Sequence, residues 1–161
     1  MKSVRETCVP RPEVLRGDLE DAIFAADFGQ VVGGVAPSVY QDPERFFANT
    51  YPTATLKKVV TTVFDRLANP NEAGFPLRLS TGFGGGKTHT LIALWHLAHN
   101  IARPTLGTQL LPAAGRPRRV AVAGLDARAF GKSLVAEHGA IKVHSLWGEV
   151  AYQLGGEPAY R

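Results

Sequence analysis

Gly82, Gly84, Gly85, Gly86, Lys87 and Thr88 fall in the run TGFGGGKTH, Thr81 to His89, and their types suit holding the phosphates of a nucleotide. Glycines at four of five positions let the backbone curl so that successive N–H groups point at an anion. Lys87 adds a mobile positive charge for the β- and γ-phosphates, and the Thr88 hydroxyl is placed to ligate Mg²⁺. The helix predicted from Thr88 to Asn100 turns its positive N-terminal end toward the same point. This is the pattern of a P-loop, with Phe83 and His89 completing the expected nucleotide-contacting set. It departs from the usual spacing at one place, where Thr81 stands for the first glycine and Gly82 follows one residue late. A flexible glycine linker that happens to precede a lysine is the plain alternative, and the flanking elements argue against it.

Those elements are a strand feeding the loop and a helix leaving it. Phe75 to Ser80 is short, partly apolar and bounded by Pro and Gly, although Arg78 is unusual for a strand buried on both faces. After the loop, Leu91, Ile92, Leu94, Trp95, Leu97 and Ala98 make a broad apolar face at helical spacing. Pro117 to Asp126 reads as a further strand, and His144 to Gly155 as a helix with Leu146, Trp147, Val150, Ala151 and Leu154 on one face. Upstream, Glu13 to Val32 reads as one helix. Asp42 caps a short helix that carries Phe46 and Phe47 inward, with Pro43 in its first turn. Thr53 caps an amphipathic helix with Leu56, Val59, Val60, Val63, Phe64 and Leu67 on its apolar side, closed by Asn69-Pro70-Asn71. The aromatic residues fall on these apolar faces, so they read as core rather than as a base-stacking platform. The expected fold is α/β: a partial P-loop NTPase, its parallel sheet flanked by helices, over 72–161, preceded by a mostly helical region over 1–71. A P-loop sheet needs several parallel strands. About 70 residues follow the loop, too few to supply them, so the expectation is an incomplete core in an N-terminal piece of a longer ATPase.

Composition narrows the classes further. The chain has 161 residues, 45% of them hydrophobic, with 18 basic against 14 acidic side chains and a net charge of +4. That mild excess fits phosphate binding, and the basic residues are too scattered to form a nucleic-acid face. Cys8 is the only cysteine, which rules out an internal disulfide and is compatible with a reducing cytoplasm. The N-terminus lacks the apolar stretch of a signal peptide, and no uncharged stretch is long enough to span a bilayer. His89, His96 and His99 lie along one helix without an acid or cysteine to complete a zinc shell. His99 and Asn100 suit a helix C-terminus, and His138 and His144 have no partners in sequence.

The run RETCVPRPEVLRGDLEDAIFAADFGQVVGGVAPSVYQDPERFFANTYPT, then LKKVV, STGFGGGKTHTLIALWHLAH and SLWGEVAYQLGG, resembles the N-terminal portion of the domain-of-unknown-function family 499. The resemblance implies a large AAA-type ATPase that binds MgATP, hydrolyses it when complete, and works in phage-defence or restriction–modification-like systems. It also implies partners: the remainder of the ATPase chain or oligomer, DNA methyltransferases and helicases. Residue by residue it carries over Lys87, Thr88 and the Gly84–Gly86 cradle. The Asp-Glu pair expected to close a later apolar strand is not in this sequence. Asp126 closes such a strand, read either as a Mg²⁺ ligand or as a turn residue. Arg118 and Arg119 read as strand flanks rather than as an arginine finger. The expected activity is therefore weak MgATP binding with negligible hydrolysis. Two alternatives remain: a non-catalytic assembly module with a vestigial loop, and a small P-loop kinase.

Overall fold

The computed structural model describes residues 3–10, 12–17, 25–69, 71, 73–80, 82, 84–126 and 136–161. They form α1 (Val4–Thr7), α2 (Pro12–Arg16), α3 (Phe28–Val32), α4 (Ser38–Gln41), α5 (Pro43–Ala48), α6 (Ala54–Ala68) and α7 (Lys87–His99), then a 3₁₀ turn (Ala113–Gly115). A hairpin of β1 (Ala136–His138) and β2 (Ile141–Val143) and a helix α8 (Leu146–Tyr160), broken at Gly156, complete the described chain. No described helix is long and apolar enough to cross a membrane.

The helix boundaries follow local chemistry. The Asp42 carboxylate accepts from the Glu44 and Arg45 amides at 2.8 and 3.1 Å, and Pro43 occupies the position where a missing N–H costs nothing. Thr53 caps α6 by accepting from the Leu56 amide, and Ser145 caps α8 by accepting from Gly148. Gly17, at φ +72°, follows α2, and Asp27 caps a separate α3 by accepting from Gln30. The single helix expected over 13–32 is therefore two short ones in its described parts, because both ends of the intervening stretch carry helix punctuation.

The core lies where α7 meets α3, α5 and α6. Ile92, Ala93 and Leu97 of α7 close against Phe46 and Phe47 of α5 and Leu56, Val60 and Phe64 of α6. Leu106, Leu110 and Leu111 from the following irregular segment cap this cluster. Each large side chain so buried contributes about 1.5–3 kcal/mol relative to exposure. Arg116 holds the irregular segment in place by donating to the Arg103, Leu106 and Leu111 carbonyls. Gly107 turns there at φ +63°, and a Cβ would stand 2.9 Å from Leu97 and 3.2 Å from Phe47.

The parallel sheet and P-loop fold expected from the glycine run are not found. The described residues are mostly helical, and their one sheet is the two-stranded antiparallel hairpin, with Ala136 opposite Val143 and His138 opposite Ile141. Neither segment expected as a parallel strand joins a ladder among the described residues. Residues 75–80 lie mostly exposed, attached to α6 where the Arg66 guanidinium sits 4.0 Å above the Phe75 ring. Val120 and Val122 instead pack on the core beside Phe28, Leu94 and Trp95, and Gly124 comes close to Phe28 and Trp95. An apolar extended stretch becomes a strand only when another backbone pairs with it, and here side chains take that place. The hairpin escapes sequence reading because its strands have three residues each. Its signal is Gly139 at φ +64° in the first place of a two-residue turn.

His96 is 4% exposed within this core and donates from Nε2 to the Tyr40 carbonyl at 2.7 Å. Burial, with a smaller push from His99, outweighs the Tyr40 carbonyl and Asp42 and holds its pKa below the ordinary 6.5. A depressed histidine pKa means the unfolded chain binds the extra proton, so this contribution is complete above pH 6.5 and is lost as the pH falls below it. Urea unfolding is therefore expected at lower denaturant at pH 5.5 than at pH 7.5, and His96→Gln, which keeps a donor for Tyr40, is expected to flatten that dependence.

Candidate functional site

The glycine run forms a closed turn at the head of α7. The Gly85 amide donates to the Gly82 carbonyl at 3.2 Å, and the Lys87 ammonium donates to the same carbonyl at 2.9 Å. Gly84 and Gly86 adopt φ of +76° and +72°, and no atom stands within 4 Å of where their Cβ atoms would be. The demand for glycine there comes from the left-handed backbone, since side chains would have room. Gly86 caps α7, and its carbonyl accepts both the amide and the hydroxyl of Thr90 at 2.9 Å. The 13-residue helix therefore begins directly behind the turn, with its positive end and its first amides at the turn's base. Thr81 and Phe83 lie outside the described residues.

Thr88 is half-buried and lines a cleft of about 310 Å³ with Ala26, Phe28, Leu91, Leu125 and Asp126. The structure thus brings together the two residues expected to serve Mg²⁺. Asp126 is set by its neighbours: its Oδ2 would lie 2.5 Å from any Cβ at position 29, where the chain has glycine. Gly124, two residues back, is buried so closely that a Cβ would meet Val32 at 2.6 Å and Trp95 at 2.9 Å.

His89 points into the molecule. Its Nε2 lies 2.9 Å from the Thr50 hydroxyl, and its ring lies 4.5 Å from that of Phe46. Burial holds its pKa below 6.5. His96 serves Tyr40, as described, and His99 bonds the Trp95 carbonyl and rests on the Trp95 ring. The three histidines of α7 thus go to three different partners.

A polar chain on α8 holds the Asp126 side of the cleft. Gln153 accepts from the Gly124 amide at 2.8 Å and donates to the Gly124 carbonyl at 2.9 Å. Its second N–H goes to Glu149 at 2.6 Å, and the other Glu149 oxygen accepts from His138 at 2.8 Å. His138 in turn stacks on Tyr152 at 3.9 Å. Glu149 is 5% exposed, while Trp147 of the expected apolar face is 83% exposed. The inward face of α8 is the one carrying Glu149 and Gln153, which apolar periodicity does not mark. Their i, i+4 spacing on a helix opposite a bare apolar strand was the available signal. Thr50, likewise unmarked by its own segment, is reached from α7 by chain folding alone.

The family model of the DUF499 N-terminal domain matches residues 3–106, which is well over half of the chain. No curated protein and no solved structure matches it.

Replacing Gln153 by Met keeps the volume and strands the Gly124 amide and carbonyl. The expected loss is about 2–3 kcal/mol in urea unfolding, with faster hydrogen exchange at the Gly124 amide. An unchanged midpoint with unchanged exchange would show that the clasp holds nothing.

Proposed function

The chain belongs to the DUF499 family, and on that footing we propose that it binds MgATP at the glycine turn that opens α7. The observation that carries the reading is the closed turn itself. Gly84 and Gly86 are left-handed, and the Lys87 ammonium is folded over the turn onto the Gly82 carbonyl, at the head of a helix. A cation already held at the turn, at the positive end of a helix, needs little reorganisation to meet phosphate oxygens. The residues present suit the metal as well. The Thr88 hydroxyl and Asp126 carboxylate are hard oxygen donors lining one cleft, and Mg²⁺ takes one or two such ligands together with phosphates and water. Gly82, Gly85 and the buried end of His89 shape this site rather than supply charge.

Binding, not turnover, is the proposed activity of this chain. Hydrolysis requires a positioned water and stabilisation of charge on the transferred phosphoryl. Asp126 is the one acid that lines the Thr88 cleft among the described residues. The wider role proposed is that of an AAA-type ATPase in a cytoplasmic phage-defence or restriction–modification-like system, working beside DNA methyltransferases and helicases. That role rests on the family resemblance alone. A second reading, an assembly module with a vestigial loop, is favoured by Trp147, 83% exposed on α8 beside half-exposed Leu146 and Leu154.

Calorimetric titration decides between them. Magnesium-dependent ATP binding is expected, weakened roughly 30-fold by Lys87→Ala through the loss of a charge-assisted contact of about 2 kcal/mol. Asp126→Asn is expected to remove the magnesium dependence and spare metal-free binding. Wild-type protein that shows no ATP binding with magnesium present would leave the assembly module standing.

A further inference from the structure

We propose that Thr50 and His89 are a positioning pair that fixes the first turn of α7, and with it Lys87 and Thr88, against α5. The inference rests on the MgATP reading for its functional consequence and on hydrogen bonds alone for its structural one.

The geometry assigns every proton. The Thr50 hydroxyl lies 2.7 Å from the Phe46 carbonyl, which can only accept, so the hydroxyl donates there. Its oxygen is left to accept from His89 Nε2–H at 2.9 Å. The Phe46 ring lies 4.5 Å from the imidazole and helps to leave it half-buried, and Thr50 is 6% exposed. The Nε2 donor on α7 meets a partner 39 residues upstream. Thr88 and Lys87 immediately precede His89, so a swing of the imidazole moves the two groups proposed to meet metal and phosphate. Lys87 is tied to the turn, the turn is capped on α7, and α7 is tied through His89 to α5. On the exposed side of the turn, Cβ positions at Gly82, Gly84 and Gly86 face open space.

Thr50→Val is the direct test, because it keeps the side-chain shape and removes only the hydroxyl. The Phe46 carbonyl still receives the Asn49 amide at 3.2 Å, so the loss falls mainly on His89. MgATP affinity is expected to fall about tenfold, while Thr50→Ser, which restores the hydroxyl, binds as the wild type does. His89→Gln, with an N–H of similar reach, is expected to bind better than His89→Leu. Leu111→Ala serves as the control. It truncates a buried side chain in the segment after α7, and it is expected to lower the melting temperature without weakening MgATP binding. Affinity that follows melting temperature across all these variants would overturn the inference, as would Thr50→Val binding like the wild type. Amide exchange keeps the test independent of nucleotide: Thr50→Val is expected to speed exchange at Thr90 relative to Leu97, and Thr50→Ser to reverse it. If wild-type protein binds no MgATP, the proposed function fails, and the pair stands or falls on that exchange pattern.

Discussion

Ile92, Ala93 and Leu97 reach full burial on α7 only because Phe46, Val60 and Phe64 close over them from helices 30 to 50 residues upstream. That apolar contact is what everything else depends on. It sets the direction in which α7 points, and so where its N-terminal end and the glycine turn stand. It also turns His89 and His96 of the same helix toward protein, so that both must find partners there. Both do, with Thr50 and with the Tyr40 carbonyl. Burial of a helix that carries histidines thus converts a hydrophobic contact into a specific register, because each unsatisfied ring nitrogen would cost about 1–3 kcal/mol.

The second half of the molecule solves a different problem. Residues 120–125 run past Phe28 and Trp95 without a neighbouring strand among the described residues. Backbone amides cannot be left dry, and at Gly124 the answer is a side chain: Gln153 meets both the N–H and the C=O, as an adjacent strand would. Glu149 and His138 keep the amide of Gln153 turned the right way. The result puts Asp126 across a small cleft from Thr88, with Gly29 and Gly124 permitting approach that any other residue would block. The two ends of the cleft are thus held by unrelated devices, one at Thr50 just past the end of α5 and one on α8.

Much of this was open to reading along the chain, and the misses have a common cause. The caps at Asp42, Thr53 and Ser145, the inward Phe46 and Phe47, and the turn before Lys87 depend on neighbours within four residues. Local reading reaches all of these except the Ser145 cap, where it starts the helix at His144, two residues early. The strands at Phe75–Ser80 and Pro117–Asp126 failed as strands because pairing is not a local property. The apolar face of α8 is only partly the buried one, with Trp147 exposed and Glu149 buried, because apolar periodicity marks only an apolar surface to pack on. What α8 meets instead is a backbone in need of hydrogen bonds.

By itself, then, the sequence determined the helices that Asp42 and Thr53 cap, the helix behind the glycine run and the glycine turn that ends on Lys87 and Thr88, since each rests on backbone preferences and spacing within one or two turns. Tertiary structure alone decided that no parallel ladder forms among the described residues. It also decided that His89 reaches Thr50, that Gln153 serves Gly124, and that Thr88 and Asp126 share a cleft. Those outcomes join residues 29 to 39 apart, and at such separations a partner is chosen by which buried group would otherwise stay unsatisfied, which only the packed chain reveals.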